Sequence, residues 1–441
     1  MIGLMDVDVV VIGMGPGGEE VAGSLAAAGL NVVGVENRLV GGECPYWGCI
    51  PSKAMVRAAD ALAEGRRIPS LAGEATIEPS WAPVAERVKE VTAGWDDQGA
   101  VDRFTAKGGH LVRGKGRITG PREVTVGDEV YRAARAVVIG TGTAPAIPPI
   151  DGLEGTPYWT NREAIEAKEL PESMIVLGGG AVGVELAQVF ARFGTQVTIV
   201  ESAPRLLHQE EPESSELLRT TFEAEGIKVI CGTRAKTVRY EDGFVVNDEY
   251  RAERLLVAIG RHTNLGDLGL GTVGLDDDAR FVEVDDRLRA GDGLWAVGDV
   301  TGKGAFTHVA VYQARIAARD ILGEDGPPAD YSALPRVTFT DPEIGAVGLT
   351  EQQAREQGLD VRVYSVDIAN VTRGWIHRAK GFVKLIESDG RLVGGTSAGP
   401  MGGEILGALS VAVHGQVPVE RLRHMIYAFP TFHRALDAAL A

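Results

Sequence analysis

Two cysteines stand five positions apart in the stretch GGECPYWGCIPSK, residues 41–53, and the only other one, Cys231, lies far along the chain. So few cysteines build no secreted disulfide framework, which points to a cytoplasmic address and makes the close pair Cys44 and Cys49 a sign of redox chemistry or metal binding. Two small buried hydrophobes are the plainer alternative, and they would ask for no polar surroundings. Zinc would need further Cys or His at ligand spacing, and the segment supplies none. Cys231, inside the strand-like IKVICGT, reads as an inert core thiol.

Two glycine motifs carry a second chemistry. GMGPGG begins at Gly13 and GGGAVG at Gly178. A lone motif of this kind is weak evidence, but here each sits between a buried-strand pattern and a helix of small apolar residues. Each also has an acidic residue, Glu36 or Glu201, at the end of the following strand. Gly13 and Gly178 permit the tight turn, Gly15 and Gly180 the close approach of a pyrophosphate, and Gly18 and Gly183 close helix packing. The helix N-termini offer unpaired N–H groups to phosphates, and the two glutamates can accept hydrogen bonds from adenosine-ribose hydroxyls. Two dinucleotide sites and one cysteine pair imply a relay in which a nicotinamide gives hydride to a second dinucleotide and the electrons continue to sulfur. Flavin suits the middle position.

Elements must hold these residues in place. A chain of 441 residues exceeds what one core organises, so several domains are expected. Its 58 glycines are about twice the usual ~7% share, which suggests many tight turns and close ligand approaches. Lys and Arg total 44 against 61 Asp and Glu, a net charge of −17 with no basic run, which argues against nucleic acid or an anionic membrane as partner. The N-terminal MIGLMDVDVVVIGMGPGG lacks a basic start and reads as a strand, and no apolar run reaches the ~18 residues of a membrane span. Residues 54–110 look mainly helical, and the Pro-rich 144–152 and the end of VAIGRHTN at 264 mark boundaries. From LPRVTFTDPEIGAVGLT onward the pattern is that of antiparallel strands in an α+β domain.

With VVVIGMGPGG, GGECPYWGCIPSK, VVIGTGTAPAIPPIDG, IVLGGGAVGVELA, VAIGRHTN, LWAVGDV and VTFTDPEIGAVGLT in this order, the chain resembles the class I pyridine nucleotide-disulfide oxidoreductases, the family of dihydrolipoamide dehydrogenase, glutathione reductase and mercuric reductase. The resemblance covers essentially the whole chain. It implies an α/β fold with two Rossmann-like dinucleotide-binding domains and a C-terminal α+β dimerisation domain: an FAD-binding domain at 1–149 and 265–333, an NAD(P)-binding domain at 150–264, and an interface domain at 334–441 of a homodimer. The first glycine motif and Glu36 would hold FAD, with Asp299 on its ribitol and Gly116, Thr141, Gly142 and Thr307 contributing further contacts. The second motif, Glu201 and Gly260 would hold NAD(P)H. Glu201 favours NADH, because a carboxylate repels the extra phosphate of NADPH, while Arg205 leaves NADPH open.

By the same resemblance Cys44 and Cys49 form a redox-active disulfide. Cys49 is the sulfur nearest the flavin and Cys44 the one that meets the external oxidant, and Lys53 and Glu185 form an ion pair that aligns hydride transfer. Two departures stand out. Relatives have CLNVGC or CVNVGC where this chain carries Pro45, Tyr46 and Trp47, aromatics that either pack or narrow the approach to the disulfide. Relatives end in HPTxxE, whose histidine shuttles protons for the exchange thiol, whereas this chain reads YAFPTFHR, with Phe429 and Arg434 in place of the His and Glu. Phenylalanine transfers no proton, so His433, one helical turn on, is the candidate acid-base group, ahead of Tyr427, whose phenol ordinarily ionises far above neutrality.

The activity expected is reduction by NADH, through FAD and the cysteine pair, of a small-molecule acceptor such as a disulfide. Alternatives are a quinone or dye reductase, oxidation of a specialised metabolite's dithiol, and an NADH-binding flavoprotein sensor with little turnover. Mercuric reductase is disfavoured by the ending LDAALA, which lacks a metal-delivering cysteine pair.

Overall fold

A computed structural model describes residues 3–441. The chain divides into two compact units. One gathers the residues up to Pro51 with Glu86–Ala146 and Arg261–Asp330; the other gathers Ser52–Ala85, Ile147–Gly260 and Tyr331–Ala441.

The first unit is built on the strand Gly3–Ile12, which pairs in parallel with Val32–Glu36 on one side and Glu129–Ile139 on the other. Leu294–Ala296 and His110–Arg113 extend the sheet in parallel beyond these. Val9, Val10 and Val11 are all fully buried, because both sheet faces are covered and a central parallel strand must be apolar on both. Val9 and Val11 face the helices Pro16–Ala27 and Thr307–Leu322, packing with Val21, Leu25, Ala314 and Ala317. Val10 and Ile12 point the other way, into a core with Val35, Ile118 and Leu270.

The second unit repeats the plan with a four-stranded parallel sheet, in the order Lys228–Ile230, Gln196–Val200, Ser173–Leu177, Arg254–Val257, and the helix Ala181–Phe193. It also contains a five-stranded antiparallel sheet, in the order Pro335–Thr338, Glu343–Gly348, Arg391–Gly399, Phe382–Ser388, Arg362–Asp367. Helices Gly402–His414 and Ala435–Leu440 supply Ile405, Leu409 and Leu436 to the core shared with Val383 and Leu385. Residues 52–85, adjoining the first glycine site in sequence, pack within this second unit. Trp81 is one of their anchors: its indole stacks 5.1 Å from the Phe190 ring, meets Phe193 edge-on at 5.2 Å, and donates from Nε1 to the Ala167 carbonyl.

Charged side chains join the parts of this unit. Lys384 is buried, with Nζ 2.9 Å from Glu211, 2.8 Å from Glu213 and 3.0 Å from Glu351. Burial alone would depress the Lys384 ammonium, but these three carboxylates outweigh it and push its pKa above the ordinary lysine value. Arg336 forks onto Glu210 at 2.9 and 3.0 Å. Among the described residues no helix is long and apolar enough to cross a membrane.

Candidate active site

The strand Gly3–Ile12 runs into Gly13, whose φ of +91° suits glycine alone. A side chain on Gly13 would strike the Gly140 carbonyl, and one on Gly18 would strike the carbonyl of Gly13 itself. Gly15 differs, since the nearest atom to a Cβ built there, the Gly42 Cα, is 4.0 Å away. The start of helix Pro16–Ala27 is therefore uncrowded at Gly15, and its unpaired N–H groups can take a pyrophosphate. Glu36 closes the turn from the next strand, accepting from Met14 N at 2.9 Å and Arg38 N at 2.8 Å. Burial raises the Glu36 carboxyl above the ordinary range, against the pull of those amides.

A second loop of the same unit runs alongside. Gly140 N donates to the Ile12 carbonyl at 2.8 Å, Gly142 takes φ +63° with open space around it, and the buried Thr141 Oγ1 has no hydrogen-bond partner among the described residues. An orphaned hydroxyl beside an open glycine turn fits a polar cofactor lying against both loops. Asp299 opens the turn Asp299–Thr301 and accepts from Thr143 Oγ1 at 2.5 Å. Thr143 in turn receives Arg261, from Nε to its Oγ1 at 2.7 Å and from a terminal nitrogen to its carbonyl at 2.8 Å, and Arg261 also faces Glu43 at 3.5 Å. Gly116 sits in the strand Gly116–Gly120, its Cα closed in by Ile12 and Val35.

The cysteine segment is anchored on the first glycine turn. Gly41 N donates to the Met14 carbonyl at 2.7 Å, and Gly42 packs so close to Gly15 that a Cβ would come within 2.8 Å of the Gly15 Cα. Helix Glu43–Trp47 ends at Gly48 and helix Cys49–Leu71 begins at once, with Pro51 in its first turn, where a missing N–H costs nothing. The break between the helices lets Cys44 reach back to Cys49. The two are free thiols, and their sulfurs are hydrogen-bonded to each other. That bond, then burial, pushes the Cys44 thiol well above its ordinary pKa. Cys49 Sγ lies 3.3 Å from Thr307 Oγ1, at the start of helix Thr307–Leu322. Of the intervening aromatics, Tyr46 is buried with its hydroxyl on the Val40 carbonyl at 3.1 Å, and Trp47 tilts against it at 5.9 Å.

In the second unit the glycine geometry recurs. Gly178 has φ +110°, a Cβ on Gly183 would strike the Gly178 carbonyl, and Gly180 has nothing within 4 Å of its Cβ position. Glu201 accepts from Gly179 N and, at 2.5 Å, from Ala203 N. Gly260, at φ +138°, also has open space about it. Arg205 is committed elsewhere, donating to Ser215 Oγ at 2.7 Å and to the carbonyls of Leu207 at 3.3 Å and His208 at 2.8 Å. Cys231 is half-buried, and burial, then the nearby Glu201 charge, pushes its thiol up.

Lys53 and Glu185 meet at 2.7 Å in this unit. Phe339, which the sequence did not single out, touches both: its N–H donates to Glu185 Oε1 at 2.9 Å and its ring lies 4.8 Å from Lys53 Nζ. It sits in VTFTDPEIG, a segment conspicuous in the sequence, but nothing there tells which way a side chain points after a strand ends. A buried Arg192 continues the seam to Asp60 at 2.7 Å, Glu225 at 2.7 Å and Asp341 at 2.8 Å. Burial, then the neighbouring acids Asp341 and Glu343, lifts Asp60 to about 6 against the pull of Arg192. At the C-terminus Phe429 is exposed, with the Arg434 guanidinium 5.2 Å from its ring centre, and His433 Nε2 lies 3.5 Å from Thr431 Oγ1. Tyr427 is buried, its hydroxyl donating to the Leu422 carbonyl at 3.1 Å, and burial, then Asp437, raises its pKa further.

Two glycine turns aimed at open space, a dithiol seated on one of them and an ion pair beneath a ring define a dinucleotide-dependent oxidoreductase. Residues 7–314 match the family model for pyridine nucleotide-disulphide oxidoreductases, and residues 334–440 match the dimerisation domain of the same family. The chain is 35% identical to a dihydrolipoyl dehydrogenase of Chlorobaculum parvum, covering 98% of this chain and 96% of that one. It is 33% identical to a mercuric reductase of Acidithiobacillus ferrooxidans, covering 97% and 81% respectively. Among solved structures, the Cu(II) complex of the HOCl-induced flavoprotein disulfide reductase RclA from Escherichia coli superposes with a TM-score of 0.88 at 27% identity, over 99% of both chains. The chain belongs to the pyridine nucleotide-disulphide oxidoreductase family. It is an FAD-dependent, NAD(P)H-driven flavoprotein disulfide reductase.

Proposed function

We propose that this enzyme carries two electrons from NADH to the Cys44–Cys49 disulfide and from there to a small disulfide in the cytoplasm, acting as a homodimer. The observation that carries this reading is the cysteine pair: two sulfurs in hydrogen-bond contact, one beside Thr307 Oγ1, on a segment pinned to the first glycine turn. In overall balance NADH, a proton and a disulfide give NAD+ and two thiols. Bound flavin supplies the two-electron relay between hydride and sulfur. Residues 1–149 and 265–333 hold it, through Gly13, Gly15, Gly18, Glu36, Gly116, Thr141, Gly142, Asp299 and Thr307. Residues 150–264 hold the nicotinamide dinucleotide through Gly178, Gly180, Gly183, Glu201 and Gly260, and residues 334–441 form the dimer interface.

The side chains divide the remaining work. Lys53 and Glu185 hold the hydride-transfer geometry. In the reduced pair the thiolate is on Cys49, whose Sγ lies 3.3 Å from Thr307 Oγ1, a hydroxyl that can donate to it, and the proton is on Cys44. Cys44 must then shed that proton to attack an external disulfide, form a mixed disulfide and be released by Cys49. His433 is the acid-base group for this step. NADH is preferred because Glu201 faces its ribose site and Arg205 is tied to Ser215 and two carbonyls. The exposed Phe429, in the place of the expected base, favours a second reading in which quinone-like acceptors that need no thiol exchange are also reduced.

The test is anaerobic addition of NADH to the purified flavoprotein. Wild type develops the long-wavelength absorbance of a thiolate beside oxidised flavin. Cys49→Ser loses the band but keeps flavin reduction, and Cys44→Ser shows the band without NADH. If both variants match wild type, the pair is not the electron carrier.

A further inference from the structure

Phe339 occupies the bend between the antiparallel strands Pro335–Thr338 and Glu343–Gly348, in the part of the chain matched to the dimerisation domain. It makes two different contacts with the same ion pair. Its backbone N–H donates to Glu185 Oε1 at 2.9 Å while Glu185 Oε2 takes Lys53 at 2.7 Å, so the carboxylate is held at both oxygens. Its ring lies 4.8 Å from the Lys53 ammonium, within range of a cation–π attraction.

The bend cannot drift, because Asp341 on it is tied to two residues of the helix that carries Glu185. Gln188, one turn beyond Glu185, accepts from Asp341 N at 2.8 Å and donates to the Asp341 carbonyl at 2.9 Å. Arg192, a further turn on, holds Asp341 Oδ2 at 2.8 Å, and Arg67, from the helix that carries Lys53, pairs with the same oxygen. Glu185, Gln188 and Arg192 lie on one face of helix Ala181–Phe193, and Lys53, Asp60 and Arg67 recur at seven-residue spacing on helix Cys49–Leu71. Three elements thus converge, and the bend touches both members of the ion pair.

We infer that Phe339 is a positioning residue for hydride transfer, fixing Glu185 by its backbone amide and Lys53 by its ring. The inference rests on the role given above to the Lys53–Glu185 pair. A ring over a half-exposed ammonium changes an equilibrium by about two- to fivefold.

The test compares the holoenzyme with Phe339→Leu, which keeps the amide and removes the ring, and with Phe339→Tyr, which keeps both. Two readouts are taken. One is the rate at which Lys53 is acetylated by an N-hydroxysuccinimide ester without NADH, followed by peptide mass. The other is the limiting rate of flavin reduction against NADH concentration. In Phe339→Leu, Lys53 should be labelled about two- to fivefold faster, and the limiting rate should fall by a similar factor at unchanged half-saturation. Phe339→Tyr should restore both. Wild-type labelling of Lys53 in Phe339→Leu overturns the inference. Faster labelling with an unchanged limiting rate instead refutes the hydride-transfer role of the pair on which it rests.

Discussion

Removing the ammonium from Lys384 puts a buried charge cluster of the second unit to a direct test. In Lys384→Met the chain keeps a side chain of similar length, but Glu211, with 2% of its side chain exposed, loses the cation 2.9 Å away. Glu213 is half in water and Glu351 nearly a third, so screening leaves their shares small. The penalty is therefore that of one buried carboxylate stripped of its partner, about 3–5 kcal/mol. For a unit of this size each kcal/mol moves the midpoint by about 2–4 °C, so the variant should melt roughly 6–20 °C below wild type near pH 8. The sign of the pH dependence follows from proton uptake. Carboxylates buried without a cation bind protons more readily in the folded variant than in its unfolded chain, so the deficit grows as pH rises from about 5 to 8 and shrinks on acidification. Wild type behaves oppositely at the alkaline end. Its raised Lys384 pKa gives stability that is complete below the unfolded lysine value, near 10.4, and is lost as pH rises through the elevated one. Thermal unfolding of both proteins by calorimetry from pH 5 to 10 reads the deficit, with no wild-type loss from Lys384 expected inside that range, and Lys384→Met with Glu211→Gln should recover most of the loss. A deficit below about 1 kcal/mol, or one equally deep at pH 5 and pH 8, would refute the reasoning.

NADH should show a higher kcat/KM than NADPH, and Glu201→Ala should narrow the gap; a wild-type preference for NADPH would mean that some cation other than the committed Arg205 governs the pocket. Positioned acid-base groups contribute about 10²- to 10⁴-fold, so loss of His433 should slow turnover with lipoamide or glutathione disulfide by a factor of that order while quinones and one-electron dyes are still reduced readily. His433→Ala should depress disulfide turnover alone and Tyr427→Phe should leave it unchanged, since that phenol is buried on the Leu422 carbonyl. Rapid lipoamide turnover in both variants would show that neither residue moves the proton.

The glycine turns were legible because glycine records a backbone demand. A φ of +91° at Gly13 and the collision a Cβ on Gly18 would make with the Gly13 carbonyl are requirements no other residue meets. The parallel sheets were legible from runs such as DVVVI, which only burial on both faces explains. Long-range partners were not. Trp81 carries no mark that it will stack on Phe190, yet that contact is among those that hold residues 52–85 in the second unit. Arg261 could be quoted within VAIGRHTN, but its link through Thr143 to Asp299 depends on a strand pairing of 261–263 with 143–145 that no local pattern announces. The two glutamates were read as ribose acceptors from type and spacing, whereas their first partners are amides of their own turns, Met14 for Glu36 and Gly179 for Glu201. Side-chain direction at element ends decides such contacts, and it is set by packing across the fold.

The ties between residues 147–260 and 331–441 bear on how such enzymes can be recombined. A family boundary drawn near residue 334 looks like a convenient splice point. Yet Glu210 holds Arg336, Glu211 holds Lys384, Gln188 and Arg192 hold Asp341, and Glu185 holds the amide of Phe339. A chimera that imported a foreign C-terminal segment would leave five side chains of its host facing strangers, most of them charged. Grafts that travel with residues 147–260 and the helix bearing Lys53, Asp60 and Arg67 keep every one of these contacts, so the transferable cassette is the whole second unit.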